Sequence, residues 1–121
     1  MRYLCLGLAD PAESELLRLG AEAFADSTAN AVTLQLFERC EDLLYCLRAG
    51  DYDAVIVAMP GALGMEAVRG ARSEKPSIPL LWISNDGVFA LEGYRQRVNM
   101  FLCAPATKEQ ISEGLSRCLG A

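Results

Sequence analysis

Short apolar runs alternate along the chain with longer segments whose apolar residues recur at helical spacing. The runs lie at residues 2–8 (RYLCLGL), 31–37 (AVTLQLF), 53–58 (DAVIVA), 78–84 (IPLLWIS) and 99–104 (NMFLCA). Each has the length and aliphatic content of a strand. The third is apolar almost throughout, which is typical of a central parallel strand. The pattern therefore predicts five strands, each followed by a helix.

Capping residues mark where the helices begin. Asp10, Pro11 and Glu13 provide an N-cap, a first-turn proline and an acidic residue three positions after the cap, so a helix is predicted from here to about Ala25. The segment DSTAN that follows is predicted to be a turn. The other helices are predicted at residues 40–50, about 63–73, about 85–97, and from Thr107 onward, where Gln110 completes a second capping box.

Five consecutive βα units imply a parallel sheet with helices on both faces. We therefore predict a single domain over residues 1–121 with an α/β, flavodoxin-like, doubly wound (βα)5 fold. The predicted strand order is 2-1-3-4-5, which places a functional crevice at the carboxyl ends of strands 1 and 3.

The charge balance excludes several classes of partner. The net charge is −5, and the Lys and Arg residues are scattered rather than clustered, so neither nucleic-acid binding nor membrane-surface binding is expected. No apolar run is long enough to span a bilayer, and the N-terminus lacks the features of a signal peptide. We therefore expect a cytoplasmic protein.

The sequence contains no histidine, which removes the commonest general base and the commonest metal ligand. The five cysteines are an odd number without a CxxC pair, so they are predicted to be buried free thiols rather than disulfides or zinc ligands. No metal, no cofactor and no catalytic residue is expected, and the protein is predicted not to be an enzyme.

Three stretches in order, DYDAVIVAMPGALG, IPLLWIS and NMFLCAP, resemble the receiver domains of bacterial two-component response regulators. The segment GVFALEGYRQRV is most similar to receivers that precede LytTR-type DNA-binding domains. The resemblance covers nearly the whole chain. It implies a role in phosphorelay signalling, and in transcription regulation if an output domain follows in the parent protein.

Receiver chemistry, as the resemblance implies it, uses an Asp at the end of strand 3 as phosphoryl acceptor and a Lys after strand 5. Here the acceptor position falls at Ile56 when counted back from Met59-Pro60, or at Ala58 when counted forward from Asp53. The lysine position is occupied by Ala104. Neither acceptor candidate can take a phosphoryl group, and the ammonium is missing.

The remaining receiver positions are also altered. The acidic pair that would hold Mg²⁺ falls at Gly7-Leu8 or at Leu8-Ala9, with Asp10 just beyond. Ser84 keeps the residue type expected after strand 4, and it could contact a ligand or shape the following turn. Phe101 occupies the position of the aromatic switch residue.

Four further residues could substitute for the missing groups, but each is better explained by its structural role or its position. The capping pattern favours Asp10 as an N-cap over a remnant metal ligand. Asp53 is predicted at the start of strand 3, away from the crevice. Gly61 and Gly64 favour a tight loop over an anion cradle.

The sequence therefore predicts a degenerate pseudo-receiver that signals by protein–protein contact, as a homodimer or with another signalling protein. The resemblance places the dimer face on helix 4, strand 5 and helix 5, with these residues: Tyr94, Arg95, Arg97, Met100, Glu109 and Glu113. The alternative is a sensor that binds a small ligand or an anion in the vestigial crevice, whose predicted lining is Ile56, Ala58 and Ala104.

Overall fold

A parallel five-stranded sheet forms the centre of the computed structural model, which describes residues 1–121. The strands are β1 (Arg2–Ala9), β2 (Ala31–Phe37), β3 (Ala54–Ala58), β4 (Leu80–Ser84) and β5 (Met100–Cys103). Their order in the sheet is β2-β1-β3-β4-β5, and all four neighbouring pairs are parallel. The predicted fold class and strand order are confirmed.

Helices connect the strands on both faces of the sheet. They are α1 (Pro11–Thr28), α2 (Cys40–Ala49), α3 (Gly61–Glu74), α4 (Ala90–Arg95) and α5 (Lys108–Leu119), and a short 3₁₀ turn at Gly87–Phe89 precedes α4. Both predicted caps are confirmed, because Asp10 accepts a hydrogen bond from the Glu13 amide at 2.8 Å and Thr107 forms a capping box with Gln110. None of these helices combines the length and the apolar character that crossing a membrane requires.

The predicted end of the first helix is wrong. α1 continues past Ala25 to Thr28, so part of the predicted turn is helical. The hydroxyls of Ser27 and Thr28 donate to the carbonyl of Phe24 at 3.2 and 2.7 Å, and a left-handed residue at Ala29 ends the helix. The two hydroxyls therefore find their hydrogen-bond acceptor inside the helix, although Ser and Thr usually favour turns and caps.

Two other helix boundaries differ from the prediction. α3 begins at Gly61, so the segment 61–64 is its first turn and not a loop. The predicted fourth helix is much shorter, because the Asp86 side chain caps a 3₁₀ turn by accepting from the Val88 amide at 3.0 Å. α4 then ends at Arg95, and Arg97 takes a left-handed conformation (φ 56°) that turns the chain toward β5.

The sheet separates two apolar cores. On one face α1 and α5 contribute Phe24 and Ile111, and on the other face α2 and α3 contribute Leu43 and Val68. α1 and α5 approach closely at Gly20, where an added Cβ would lie only 2.3 Å from Cγ2 of Ile111. A side chain at this position would therefore force the two helices apart.

The cysteines are all free, but their burial only partly matches the prediction. Cys5 and Cys118 are buried, and burial raises the pKa of each thiol to about 12. Cys40 and Cys46 are half-buried, and Cys103 is exposed at the end of β5. Only the first two therefore behave as small core hydrophobes.

Candidate functional site

A cavity of about 200 Å³ opens at the carboxyl ends of the central strands. Doubly wound sheets place their ligand sites at this edge. Eight residues line it, four of them hydrophobic: Asp10, Glu13, Ala58, Met59, Pro60, Ile83, Asn85 and Ala104. The cavity therefore coincides with the crevice that the strand order predicts.

The two candidate acceptor positions differ in their relation to this cavity. Ala58 is the last residue of β3, pairs with Ala9 of β1 and lines the cavity. Ile56 is fully buried in the interior of β3 and does not contribute to the lining. The predicted contribution of Ile56 to the crevice is therefore wrong, because its side chain packs into the core between the sheet, α1 and α5.

The wall formed by the start of α1 is acidic. Asp10 and Glu13 both line the cavity, and the backbone of Glu13 bonds to the Asp10 side chain at 2.8 Å. Oε2 of Glu13 is buried and has no hydrogen-bond partner. In the sequence Glu13 is recognisable only as a capping residue, although the same spacing places Asp10 and Glu13 together at the start of α1, beside the strand ends. The crevice is therefore half polar, and not the apolar space that was predicted.

Ala104 and Ser84 lie at the opposite wall. Ala104 lines the cavity, and its amide donates to the Ser84 carbonyl at 2.8 Å. Ser84 is only 1% exposed, and its hydroxyl accepts a hydrogen bond from the amide of Asp86 at 3.3 Å. Of the two roles left open for Ser84, the structure shows the one that shapes the turn. No Lys or Arg belongs to the lining.

The Mg²⁺ that the receiver resemblance implies does not fit the residues present. Mg²⁺ prefers oxygen ligands in octahedral geometry, with carboxylates as its usual protein ligands. The resemblance implies that an acidic pair and the acceptor Asp supply them. Asp10 is engaged as a helix cap, Ala58 has no oxygen in its side chain, and no group of three or more His, Cys, Asp or Glu side chains is close enough to hold a metal. The carboxylates also make the cavity unfavourable for a phosphate, because no cation in the lining offsets the repulsion.

The other possible substitutes lie elsewhere. Asp53 precedes β3, and its carboxylate accepts a hydrogen bond from the Leu4 amide at 2.7 Å. It therefore lies at the amino end of β3, away from the cavity, as predicted. Gly64 packs against the backbone of Met59, where an added Cβ would lie 2.4 Å from the carbonyl oxygen. This glycine is therefore required for the close approach of α3 to the end of β3.

The switch position, Phe101, belongs to an aromatic cluster on the face of the sheet that α2 and α3 cover. The half-buried ring of Phe101 meets the ring of Trp82 edge-on, with centroids 5.3 Å apart, and Phe89 lies 5.9 Å from the same tryptophan. Trp82 is fully buried in the core formed with α2 and α3, and it does not line the cavity. The cluster therefore connects β4 and β5 to the segment that begins α4.

Charged groups that sequence analysis did not identify hold α4 against α3. Glu92 accepts hydrogen bonds from Arg69 and Gln96, each at 2.9 Å, and these bonds lower the pKa of its carboxyl to about 2. Arg72 donates to the carbonyl of Gln96 at 2.9 Å and to that of Ile78 at 2.7 Å. α4 is thus tied to α3 through both side chains and backbone.

The predicted dimer-face residues lie on or next to α4, β5 and α5. Met100 is half-buried, and the other five are exposed: Tyr94, Arg95, Arg97, Glu109 and Glu113. Tyr94 is 82% exposed, and Val88 and Leu91 add exposed apolar groups at 73% and 58%. The α4–β5–α5 surface, as we call these eight residues, therefore combines exposed apolar groups with charges of both signs.

Comparison with solved structures identifies the fold. The receiver domain of AraT, a response regulator from Geobacillus stearothermophilus, is 20% identical with a TM-score of 0.77, over 99% of this chain and 95% of that one. The chain has the receiver-domain fold. The chemotaxis response regulator CheY4 of Vibrio cholerae is 17% identical with a TM-score of 0.72, over 98% of this chain and all of the other.

A solved structure that is described as a different kind of protein is also similar to this chain. A putative CpaE2 pilus assembly protein from Sinorhizobium meliloti is 16% identical with a TM-score of 0.70, over 95% of this chain and 98% of that one. Neither models of protein families nor the sequences of curated proteins match this chain. At such low identities the structures establish the fold, and function has to be argued from the site.

Proposed function

We propose that the protein is a pseudo-receiver: a non-enzymatic, cytoplasmic signalling module that works by protein–protein contact and without phosphorylation. The observation that carries the proposal is the cavity itself. Its acceptor position is Ala58 and its lysine position is Ala104, so it lacks the carboxylate that accepts the phosphoryl group in receivers and has no cation to neutralise one.

The attachment of α4 supports the same proposal. A phosphorylation switch needs an element with two arrangements that the phosphoryl group favours unequally. Here the Glu92 carboxylate and the Arg72 guanidinium bind α4 and the following loop to α3 and its loop, at distances of 2.7–2.9 Å. These contacts favour one position of α4, independent of any group in the cavity.

The α4–β5–α5 surface is the proposed site of contact with a second copy of the chain. Tyr94, Leu91 and Val88 are large side chains that a monomer leaves in water, and aromatic residues are enriched at interfaces. Arginine and glutamate on the same surface allow a self-complementary, two-fold arrangement. If the parent protein carries a LytTR-type or other output domain, this dimer would regulate transcription.

Phosphorylation independence is tested with acetyl phosphate and Mg²⁺, followed by intact mass. We expect no mass increase for the wild type, and none for Ala58→Asp, because the new carboxylate still lacks a lysine and an acidic pair. The double variant Ala58→Asp/Ala104→Lys, which adds the lysine as well as the carboxylate, is measured in the same way for comparison with Ala58→Asp. A phosphoryl adduct on the wild-type chain would overturn the proposal.

The contact surface is tested by sedimentation velocity over a range of protein concentrations. Tyr94→Ala is expected to weaken self-association, since truncation of a central interface aromatic typically raises a dissociation constant by about tenfold or more. Tyr45→Ala removes another highly exposed tyrosine (73%), from α2, and serves as control. Equal behaviour of the two variants would exclude the α4–β5–α5 surface as the interface.

A second function, ligand sensing, rests on the unpartnered Oε2 of Glu13. A buried carboxylate oxygen without a partner favours a ligand that donates hydrogen bonds or carries positive charge, such as an amine, over an anion. Thermal shift with a panel of small amines, and with Glu13→Gln as control, tests this function. Stabilisation by anions instead of amines would contradict the charge argument.

A further inference from the structure

The outer edge of β2 has hydrogen-bonding groups that nothing in the chain satisfies. The Ala31 amide donates to the Met1 carbonyl at 2.9 Å, which shows that Ala31 directs its backbone toward β1. In a parallel ladder, alternate residues face the neighbouring strand, so Thr33 also faces β1. Val32, Leu34 and Leu36 therefore direct their N–H and C=O groups away from the sheet.

Proteins usually protect such an edge with charges, proline or a short strand. β2 has none of these features, because its seven residues, AVTLQLF, contain neither a charged residue nor a proline. The opposite edge strand, β5, has only four residues. The β2 edge is therefore the exposed pairing surface of this sheet.

A groove between α1 and β2 runs beside this edge. Ala21, Ala25, Val32 and Leu34 line it, and Arg18 and Glu22 complete its wall. Arg18 and Glu22 lie one helical turn apart on α1, and neither forms a salt bridge within the chain, whose six ion pairs involve other residues. The edge is thus accompanied by one positive and one negative group that lack partners.

We infer that the β2 edge binds the β2 edge of a second copy of this chain in antiparallel register, which joins two sheets into one. The free groups are symmetric about Leu34, so Leu34 would face its own counterpart and Val32 would face Leu36 of the other copy. Each of these facing pairs exchanges two hydrogen bonds, about six in all. A two-fold axis at Leu34 therefore gives a hydrogen-bond partner to each outward-facing N–H and C=O group of Val32, Leu34 and Leu36.

Charge complementarity favours a second copy over an unrelated strand. The two-fold axis sets the α1 helices antiparallel on the same side of the joined sheet. Arg18 of each copy then faces Glu22 of the other, which gives two equivalent ion pairs. An unrelated strand would satisfy the backbone groups but would not supply this arrangement of charges.

This interface is separate from the α4–β5–α5 surface, because β2 and β5 are opposite edges of the sheet. The test uses sedimentation velocity with a charge-reversal series. Arg18→Glu and Glu22→Arg each replace both Arg18–Glu22 ion pairs of the symmetric dimer with pairs of like charge. Each variant is expected to raise the dimer dissociation constant by about tenfold. The double variant Arg18→Glu/Glu22→Arg pairs opposite charges again and is expected to restore the dissociation constant of the wild type. Lys75→Glu, on the loop before β4, is the control, because it changes the net charge as Arg18→Glu does but lies away from β2.

A second variant tests the strand pairing itself. Thr33 and Gln35 have exposed side chains and would lie opposite each other across the axis. Thr33→Lys/Gln35→Lys therefore juxtaposes lysines and is expected to abolish the dimer, while circular dichroism verifies the fold. Each variant is also measured in combination with Tyr94→Ala, so that loss of the α4–β5–α5 contact is distinguished from loss of the β2–β2 contact. A monomeric wild type, or a dimer insensitive to every β2-edge variant, would overturn the inference.

Discussion

The approach of α1 to α5 at Gly20 gives a quantitative prediction for Gly20→Ala. The new Cβ would lie 2.3 Å from Cγ2 of Ile111, whereas ordinary contact begins at 3.4 Å, so the helices must separate locally by 1.1 Å (3.4 minus 2.3). Ile111 is β-branched and fully buried, so its side chain has little freedom to move away. Overpacking of this kind costs about 1–3 kcal/mol.

Replacing glycine with alanine inside a helix would otherwise stabilise it by about 1 kcal/mol. The two effects together predict a net loss of about 0–2 kcal/mol in the free energy of unfolding, measured by urea denaturation. Gly70→Ala is the control, because its Cβ would meet only the flexible end of Leu44 at 2.7 Å. If Gly20→Ala were as stable as Gly70→Ala, the close packing of α1 and α5 would be refuted.

Two further predictions concern ionisable groups. Glu92 has its pKa lowered from 4.5 to about 2 in the folded protein, so its stabilising contribution is complete above about pH 4.5 and is lost as the pH falls toward 2. The difference in unfolding free energy between the wild type and Glu92→Gln should therefore shrink over this interval; a constant difference would contradict the assignment. Cys103 should react with a thiol reagent in the native protein, whereas buried Cys5 and Cys118 should react only after unfolding, as peptide mass mapping would show.

The fold was predictable because each of its signals is local. Apolar runs determine the strands, and the side chains of Asp10 and Thr107 bond to amides only three residues away. The end of α1 was not predictable in the same way. Ser27 and Thr28 favour turns in general, but here their hydroxyls bond to the Phe24 carbonyl within the helix, and no local pattern distinguishes the two cases.

The site was predictable in position but only partly in composition. Counting along the sequence could not distinguish Ile56 from Ala58, since two residues on the same side of a strand differ only in their depth. Glu13 was missed because its capping position concealed its second location, at the cavity wall. The bond between Arg69 and Glu92 joins residues 23 positions apart, and no local pattern reports such a pair.

The position of Trp82 has a consequence for optical measurements on this protein. It is the only tryptophan, and it lies in a dry aromatic cluster with Phe89 and Phe101, without a hydrogen bond to its indole nitrogen. Its emission should therefore be blue-shifted in the native state and should report on contacts made by the α4 half of the molecule.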